Sequence, residues 1–108
     1  MTAPQALVLH HRGVLRAEGP DVRPFLQGIV SNDVERVSAE RAIWTAFLTP
    51  QGKFLHEFIV AALGEALLLD CEAERLPDLQ QRLSRYRLRS KVTLTDVRDR
   101  RRGGAGAA

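Results

Sequence analysis

Three β-like segments, Ala42–Leu48, Phe54–Ala61 and Ala66–Asp70, follow one another with connections too short to hold a helix. Strands joined so tightly run antiparallel, because a parallel crossover needs a dozen or more residues. The turn chemistry agrees. In "TPQG" Pro50 and Gly52 occupy the second and fourth positions of a type I turn. In "LGE" Gly64 supplies the backbone freedom of a tight hairpin. An antiparallel meander is therefore the central constraint on the fold.

Helical patterns flank the meander. Val22, Phe25, Leu26 and Ile29 recur at i, i+3, i+4 and i+7, with Asp21 as the N-cap and Pro24 in the tolerant first turn. Gly28 weakens this helix, and "SND" at Ser31 to Asp33 provides exit turn chemistry. Leu76, Leu79, Leu83 and Tyr86 predict a second amphipathic helix of about three turns. "KVTLTDV" alternates Val92, Leu94 and Val97 imperfectly and reads as a strand. Short β-like runs at Leu7–Leu9 and at Val14 and Leu15 come first, broken at His10 to Gly13. The order β-β-α-β-β-β-α-β predicts an α+β fold. Its antiparallel sheet carries two helices on one face, a split βαβ or ferredoxin-like plan. Residues 1–97 make one domain, and the basic, Gly/Ala-rich stretch 98–108 reads as a tail or truncated linker.

Composition narrows the class. A chain of 108 residues can bury one modest core. With Cys71 the only cysteine, it has no disulfide framework and no multi-cysteine metal site, which suits a reducing, cytosol-like compartment. No apolar run supports a secretory signal or a membrane span. Residues 1–17 lack acids and carry Arg12 and Arg16, a faint presequence signature, but "ALVLHHRGVLRAEG" reads better as a strand pair. Charge is uneven. Residues 1–81 hold 7 Lys/Arg and 11 Asp/Glu, a net of −4, while residues 82–108 hold 9 and 2, a net of +7. The basic character belongs to the last quarter alone.

Two stretches could carry chemistry. His56 and Glu57 stand side by side, yet neighbours in a strand point to opposite faces. Phe54, His56, Phe58 and Val60 share one face, and Leu55, Glu57, Ile59 and Ala61 the other. The two cannot form a catalytic couple. Both faces are otherwise apolar, so the strand is expected to be covered on both sides. Glu57 would then be desolvated unless paired, as suits a proton acceptor or an anchor for an amine-bearing ligand. The plainer alternative is a carboxylate at the sheet rim, bonded to a neighbour or to water. His56 reads as a satisfied, partly buried imidazole, and His10 and His11 form no metal spacing with it. No catalytic residue and no metal ligand is assigned.

The second stretch is "RLSRYRLRSK". Arg82, Arg85 and Arg89 form a basic patch at i, i+3 and i+7, with Tyr86 nearby. It reads either as a solvated helix face or as a holder of phosphates and a stacked ring. Cys71 has no nearby base and reads as a small buried hydrophobe.

"RGVLRAEGPDVRPFLQGIVSNDV", then "AFLTPQGKFLHEFIV", then "RYRLRSKVTL" resemble the N-terminal part of the YgfZ-type folate-binding proteins. These are relatives of the aminomethyltransferase (T-protein) of the glycine cleavage system. The likeness runs from about Leu7 to Val97. It implies a tetrahydrofolate cofactor, a link to assembly or repair of iron–sulfur proteins, and modification of some tRNAs through an iron–sulfur enzyme. The family's K-G-C-Y-x-G-Q-E segment has no counterpart here, so the chain reads as an N-terminal fragment whose folate pocket is incomplete. In the aminomethyltransferase branch two successive aspartates follow the LTPQG-like turn, the second serving the folate amine. His56 and Glu57 stand at those positions. Glu57 is thus the implied folate-side carboxylate, with Asn32 and Asp33 of the family motif as further candidates. Losing the first acid argues against methylene transfer and for an accessory factor rather than an enzyme. A folate-dependent aminomethyltransferase is the alternative, and a tRNA-binding edge at the basic patch a weaker one. A bacterial cytoplasmic setting is expected, with the mitochondrial matrix as the alternative. Self-association through an uncovered apolar surface is expected too.

Overall fold

The computed structural model describes residues 12–97 except Leu88. The expected first strand, His10 and His11, and the stretch 98–108 lie outside the described residues.

Five strands and two helices follow in the order β1 (Arg12–Glu18), α1 (Val22–Gln27), β2 (Ile43–Leu48), β3 (Phe54–Leu63), β4 (Ala66–Glu72), α2 (Leu76–Tyr86) and β5 (Thr93–Asp96). Short 3-10 turns at Val34–Arg36 and Ala73–Arg75 lead into β2 and α2. The strands form one antiparallel sheet in the order β2-β3-β4-β1-β5. The meander is β2-β3-β4, as the short connections require. Gly64, at φ +61°, turns β3 into β4. At the other hairpin Gly52 N–H closes the turn on Thr49 C=O at 2.8 Å, with Gly52 at φ +88°. The pairing slips between Phe47 and Leu48 beside this turn.

Both helices cover one face, hereafter the inner face. Leu15 and Ala17 of β1, Phe47 of β2, His56, Phe58 and Val60 of β3, and Leu67 and Leu69 of β4 point inward. They meet Val22, Phe25 and Leu26 of α1 and Leu76, Leu79 and Leu83 of α2 in one buried cluster. Each Leu, Val or Phe among them contributes about 1.5–3 kcal/mol on leaving water. That total sits against a backbone entropy cost of similar size.

Some boundaries differ from the sequence reading, for physical reasons. β1 runs unbroken through Gly13, where an added Cβ would lie 2.9 Å from Leu76 Cδ1 and 3.2 Å from Ala73 Cα. Glycine here permits the chain entering α2 to cross the strand closely, and is no break. Asp21 stands at the N-cap position of α1, but its carboxylate makes no cap bond. Instead Oδ2 accepts from the Lys91 N–H at 2.8 Å and ties α1 to the approach of β5. α2 ends at Tyr86, so Arg89 is carried by the following turn and the basic patch is not one helical stripe.

Candidate functional site

β3 is where the two faces of the sheet part company chemically. His56 is 1% exposed on the inner face. Its ring lies roughly parallel to Phe47, with centroids 6.4 Å apart, and Nε2 bonds Asp78 Oδ2 of α2 at 2.7 Å. A carboxylate can only accept, so Nε2 carries a proton, and in the neutral imidazole that burial favours Nδ1 is bare. Nδ1 is buried without a partner. The imidazole is therefore more buried and less satisfied than the sequence suggested. Burial lowers the His56 pKa from 6.5, outweighing the Asp78 bond. Asp78 in turn accepts from Arg82 Nε at 2.8 Å, and the Arg82 and His56 bonds hold its carboxyl below the usual range.

Glu57, the next residue, faces the other way. The outer face is uncovered among the described residues, which corrects the expectation of a strand covered on both sides. Trp44, Ile59 and Leu63 lie on it at 55%, 39% and 53% exposure. The Glu57 carboxylate is solvated rather than stranded in apolar surroundings, and Trp44 Nε1–H donates to its Oε1 at 2.9 Å. The plainer alternative, a carboxylate bonded to a neighbour, describes it. The geometry still leaves Oε2 free to accept.

Beside this pair the sheet opens. β3 pairs with β4 only from Ile59 onward, opposite Asp70, whereas it pairs with β2 from Phe54. Arg75 spans the splay by donating from Nη2 to Leu55 C=O at 2.6 Å. The result is a concavity of about 580 Å³, within the usual range for small-molecule sites, lined by Arg12, Trp44, Phe54, Glu57, Glu72 and Arg75 among others. Arg12 is already committed, with Nε on Asp70 Oδ1 at 2.9 Å.

Asn32 and Asp33 hold the loop between α1 and β2. Asn32 donates from Nδ2 to Trp44 C=O at 2.8 Å, and its Oδ1 accepts from Asp33 N–H at 2.7 Å. Asp33 Oδ1 accepts from Glu35 N–H at 3.0 Å, a cap on the 3-10 turn. Gln27 clasps the same loop, donating to Asn32 C=O and accepting from Val34 N–H. The "LQGIVSND" stretch thus latches α1 to the edge strand, and through Asn32 it fixes the backbone that presents Trp44.

Arg82 is spent on Asp78, while Arg85 and Arg89 are exposed. Cys71 is 2% exposed, and burial pushes its thiol up to about 11, the condition of an inert side chain. Among the described residues no three His, Cys, Asp or Glu side chains converge as metal ligands. Sequence reasoning missed Trp44 and Asp78. Trp44 was recoverable: the TPQG hairpin sets the register, and Trp44 has the outward parity of β2. Asp78 was not, because no local pattern announces a contact between strand and helix 22 residues apart.

The fold is that of the T-protein class. The chain superposes on the glycine cleavage system aminomethyltransferase T from Bartonella henselae with a TM-score of 0.72, covering 80% of this chain and 24% of that one at 17% identity. No protein-family model matches. In sequence the homologues are iron–sulfur cluster assembly factors. The chain is 36% identical over 99 residues to iron-sulfur cluster assembly factor IBA57, mitochondrial, of Homo sapiens, covering 80% of this chain and 28% of that protein. It is 33% identical over 100 residues to the homolog of Mycosarcoma maydis, covering 81% and 25%. For the Neurospora crassa homolog the figures are 32% over 93 residues, covering 80% and 21%. The chain spans about a quarter of the length of these curated relatives.

Proposed function

We propose that this chain is the folate-side part of an accessory factor for iron–sulfur cluster proteins, with Glu57 as the carboxylate that meets tetrahydrofolate. The assembly role is supported by the names of the homologues, and the folate role by the placement of Glu57. That placement is the observation that carries the reading: one exposed carboxylate, bonded by an exposed indole, in the lining of the concavity where β3 and β4 splay apart.

The residues fit a reduced pterin in kind. Oε2 of Glu57 can accept from an amine N–H of the ligand, and a charge-assisted bond of this sort is worth about 1.5–3 kcal/mol. Trp44 offers a ring face for stacking. Glu72 and Arg75, the latter also bonded to Leu55 C=O, add polar groups to the lining. Bound folate supplies one-carbon chemistry, while these residues bind and orient it. Methylene transfer is disfavoured, because the position of the first family acid is His56, whose imidazole points into the core. The relatives' names place those proteins in mitochondria, which supports the mitochondrial alternative for the compartment. Modification of tRNA would follow indirectly, through an iron–sulfur client.

The test joins this chain to the remaining length of the human relative. Calorimetry should show tetrahydrofolate binding to the fusion, at least about tenfold weaker after Glu57→Gln, equivalent to about 1.4 kcal/mol. The fusion should also restore iron–sulfur enzyme activity in cells lacking that relative. A fusion that is folded but binds no tetrahydrofolate removes the folate reading, and failure to restore activity removes the assembly reading.

A further inference from the structure

The helix-bearing side of the molecule carries a second feature, independent of Glu57 and of folate. Five cations stand from Arg82 to Lys91, and no acid occurs between Asp78 and Asp96. Two of the five have structural work: Arg82 bonds Asp78, and Arg87 Nη1 donates to Val92 C=O at 2.9 Å. The side chains of Arg85, Arg89 and Lys91 make no hydrogen bond or ion pair with any described residue. Arg12, Arg23 and Arg75 are each held by an acceptor, and Arg36, Arg41 and Lys53, which likewise have no side-chain partner among the described residues, stand apart in sequence rather than in a cluster.

These free cations sit on a fixed frame. The turn after α2 is closed by Ser90 N–H on Arg87 C=O at 3.1 Å, and its end is pinned by Lys91 N–H on Asp21 Oδ2 at 2.8 Å. Beside them stands Tyr86, 44% exposed although its sequence spacing puts it in line with the leucines of the core. Its ring meets Phe47 edge-on, with centroids 5.5 Å apart and planes at 80°. An aromatic ring is thus packed on a core phenylalanine yet 44% exposed, within five residues in sequence of three cations that have no side-chain partner among the described residues. We propose that the C-terminal end of α2, with Arg89 and Lys91 beyond it, forms a binding surface for single-stranded nucleic acid. Arg85, Arg89 and Lys91 contact phosphates, and Tyr86 stacks on an unpaired base. Guanidinium forks match phosphate oxygens in pairs. An acidic protein would satisfy the cations equally well but offers a stacking partner only where an aromatic or arginine side chain happens to fall, whereas every base has a π-face.

Fluorescence anisotropy of the full chain with roughly 16-nucleotide labelled single strands, RNA and DNA, and with a duplex of the same sequence, tests this. Single strands should bind, with affinity falling steeply as salt rises. The variant R85Q/R89Q/K91Q should bind about tenfold or more weakly. Its log–log salt dependence should be shallower by about 2, since each lost phosphate contact is worth about 0.7 on single strands. Tyr86→Leu, with an unchanged circular dichroism spectrum, should cost about fivefold or more. Equal charge removals at Arg36, Arg41 and Lys53, or at Arg100, Arg101 and Arg102, should cost less than the α2-end variant. The proposal is overturned if no single strand binds at low salt, or if either comparison variant loses as much. It is equally overturned if Tyr86→Leu is inert while the duplex binds as tightly, or if polyglutamate competes as well as nucleic acid does.

Discussion

Removing Asp78 should cost far more stability when His56 is present than when it is not. In the native chain Asp78 Oδ2 takes the Nε2–H of an imidazole that is 1% exposed, and the same oxygen takes Arg82 Nε. Asp78→Ala strands the imidazole N–H in the core beside an already bare Nδ1, at a cost of about 1–3 kcal/mol. The Arg82 pair adds little, about 0–1 kcal/mol, because both its side chains are more than a third exposed. His56→Leu removes both imidazole nitrogens together and keeps the space between Phe47 and Phe58 filled. Its cost should stay within about 1 kcal/mol of zero in either direction. In the double variant Asp78→Ala then costs only the surface pair. The coupling between positions 56 and 78 is therefore about 1–3 kcal/mol, readable in a double-mutant cycle by urea unfolding followed with far-UV circular dichroism. Each kcal/mol also moves Tm by about 4–8 °C in a domain of this size. If Asp78→Ala costs the same in both backgrounds, the bond does not hold β3 to α2.

The remaining predictions concern pH, backbone and the open face. His56 has a folded-state pKa below its unfolded value of 6.5, so the unfolded chain binds the extra proton first. The stability His56 contributes is complete above about pH 6.5 and is lost as pH falls below it, and urea midpoints measured from about pH 7 to about pH 5 should decline less in His56→Leu. Gly19 has φ +134°, and an added Cβ would lie 2.1 Å from Lys91 C=O. Gly19→Ala should therefore cost at least about 3 kcal/mol or prevent folding, against about 1–2 kcal/mol for Gly64→Ala, which meets open space, as thermal unfolding would show. Trp44→Phe should change stability by less than about 1 kcal/mol, since the indole is 55% exposed. Light scattering should show concentration-dependent self-association that Trp44→Ser with Ile59→Ser reduces, and a monodisperse monomer throughout would contradict it.

The meander was legible in the sequence because short connections, turn glycines and strand alternation are local. So was the opposition of His56 and Glu57, which follows from the pleat alone. Tertiary contacts were not. Asp21 looks like a helix cap by position, yet the strand arriving 70 residues later claims its carboxylate. Glu57 looked stranded because Leu55 and Ile59 flank it, but apolar neighbours along a strand do not reveal whether anything covers the sheet. Arg82, Arg85 and Arg89 looked like one stripe because spacing assumes that the helix continues. The helix ends at Tyr86 without a glycine stop, in a turn held by the Arg87 side chain.

The proposed folate role rests on Glu57. Trp44 is the only tryptophan, so its Nε1–H gives a single indole cross-peak in a proton–nitrogen NMR spectrum, and that proton rests on Glu57. One charge-assisted bond and one stacked ring together support an affinity of about 1 mM for this chain alone. Titration with tetrahydrofolate should shift the indole peak saturably in that range, and Glu57→Gln should weaken the titration about tenfold or more. An indole peak that stays in place, or one that moves equally in Glu57→Gln, would contradict the assignment.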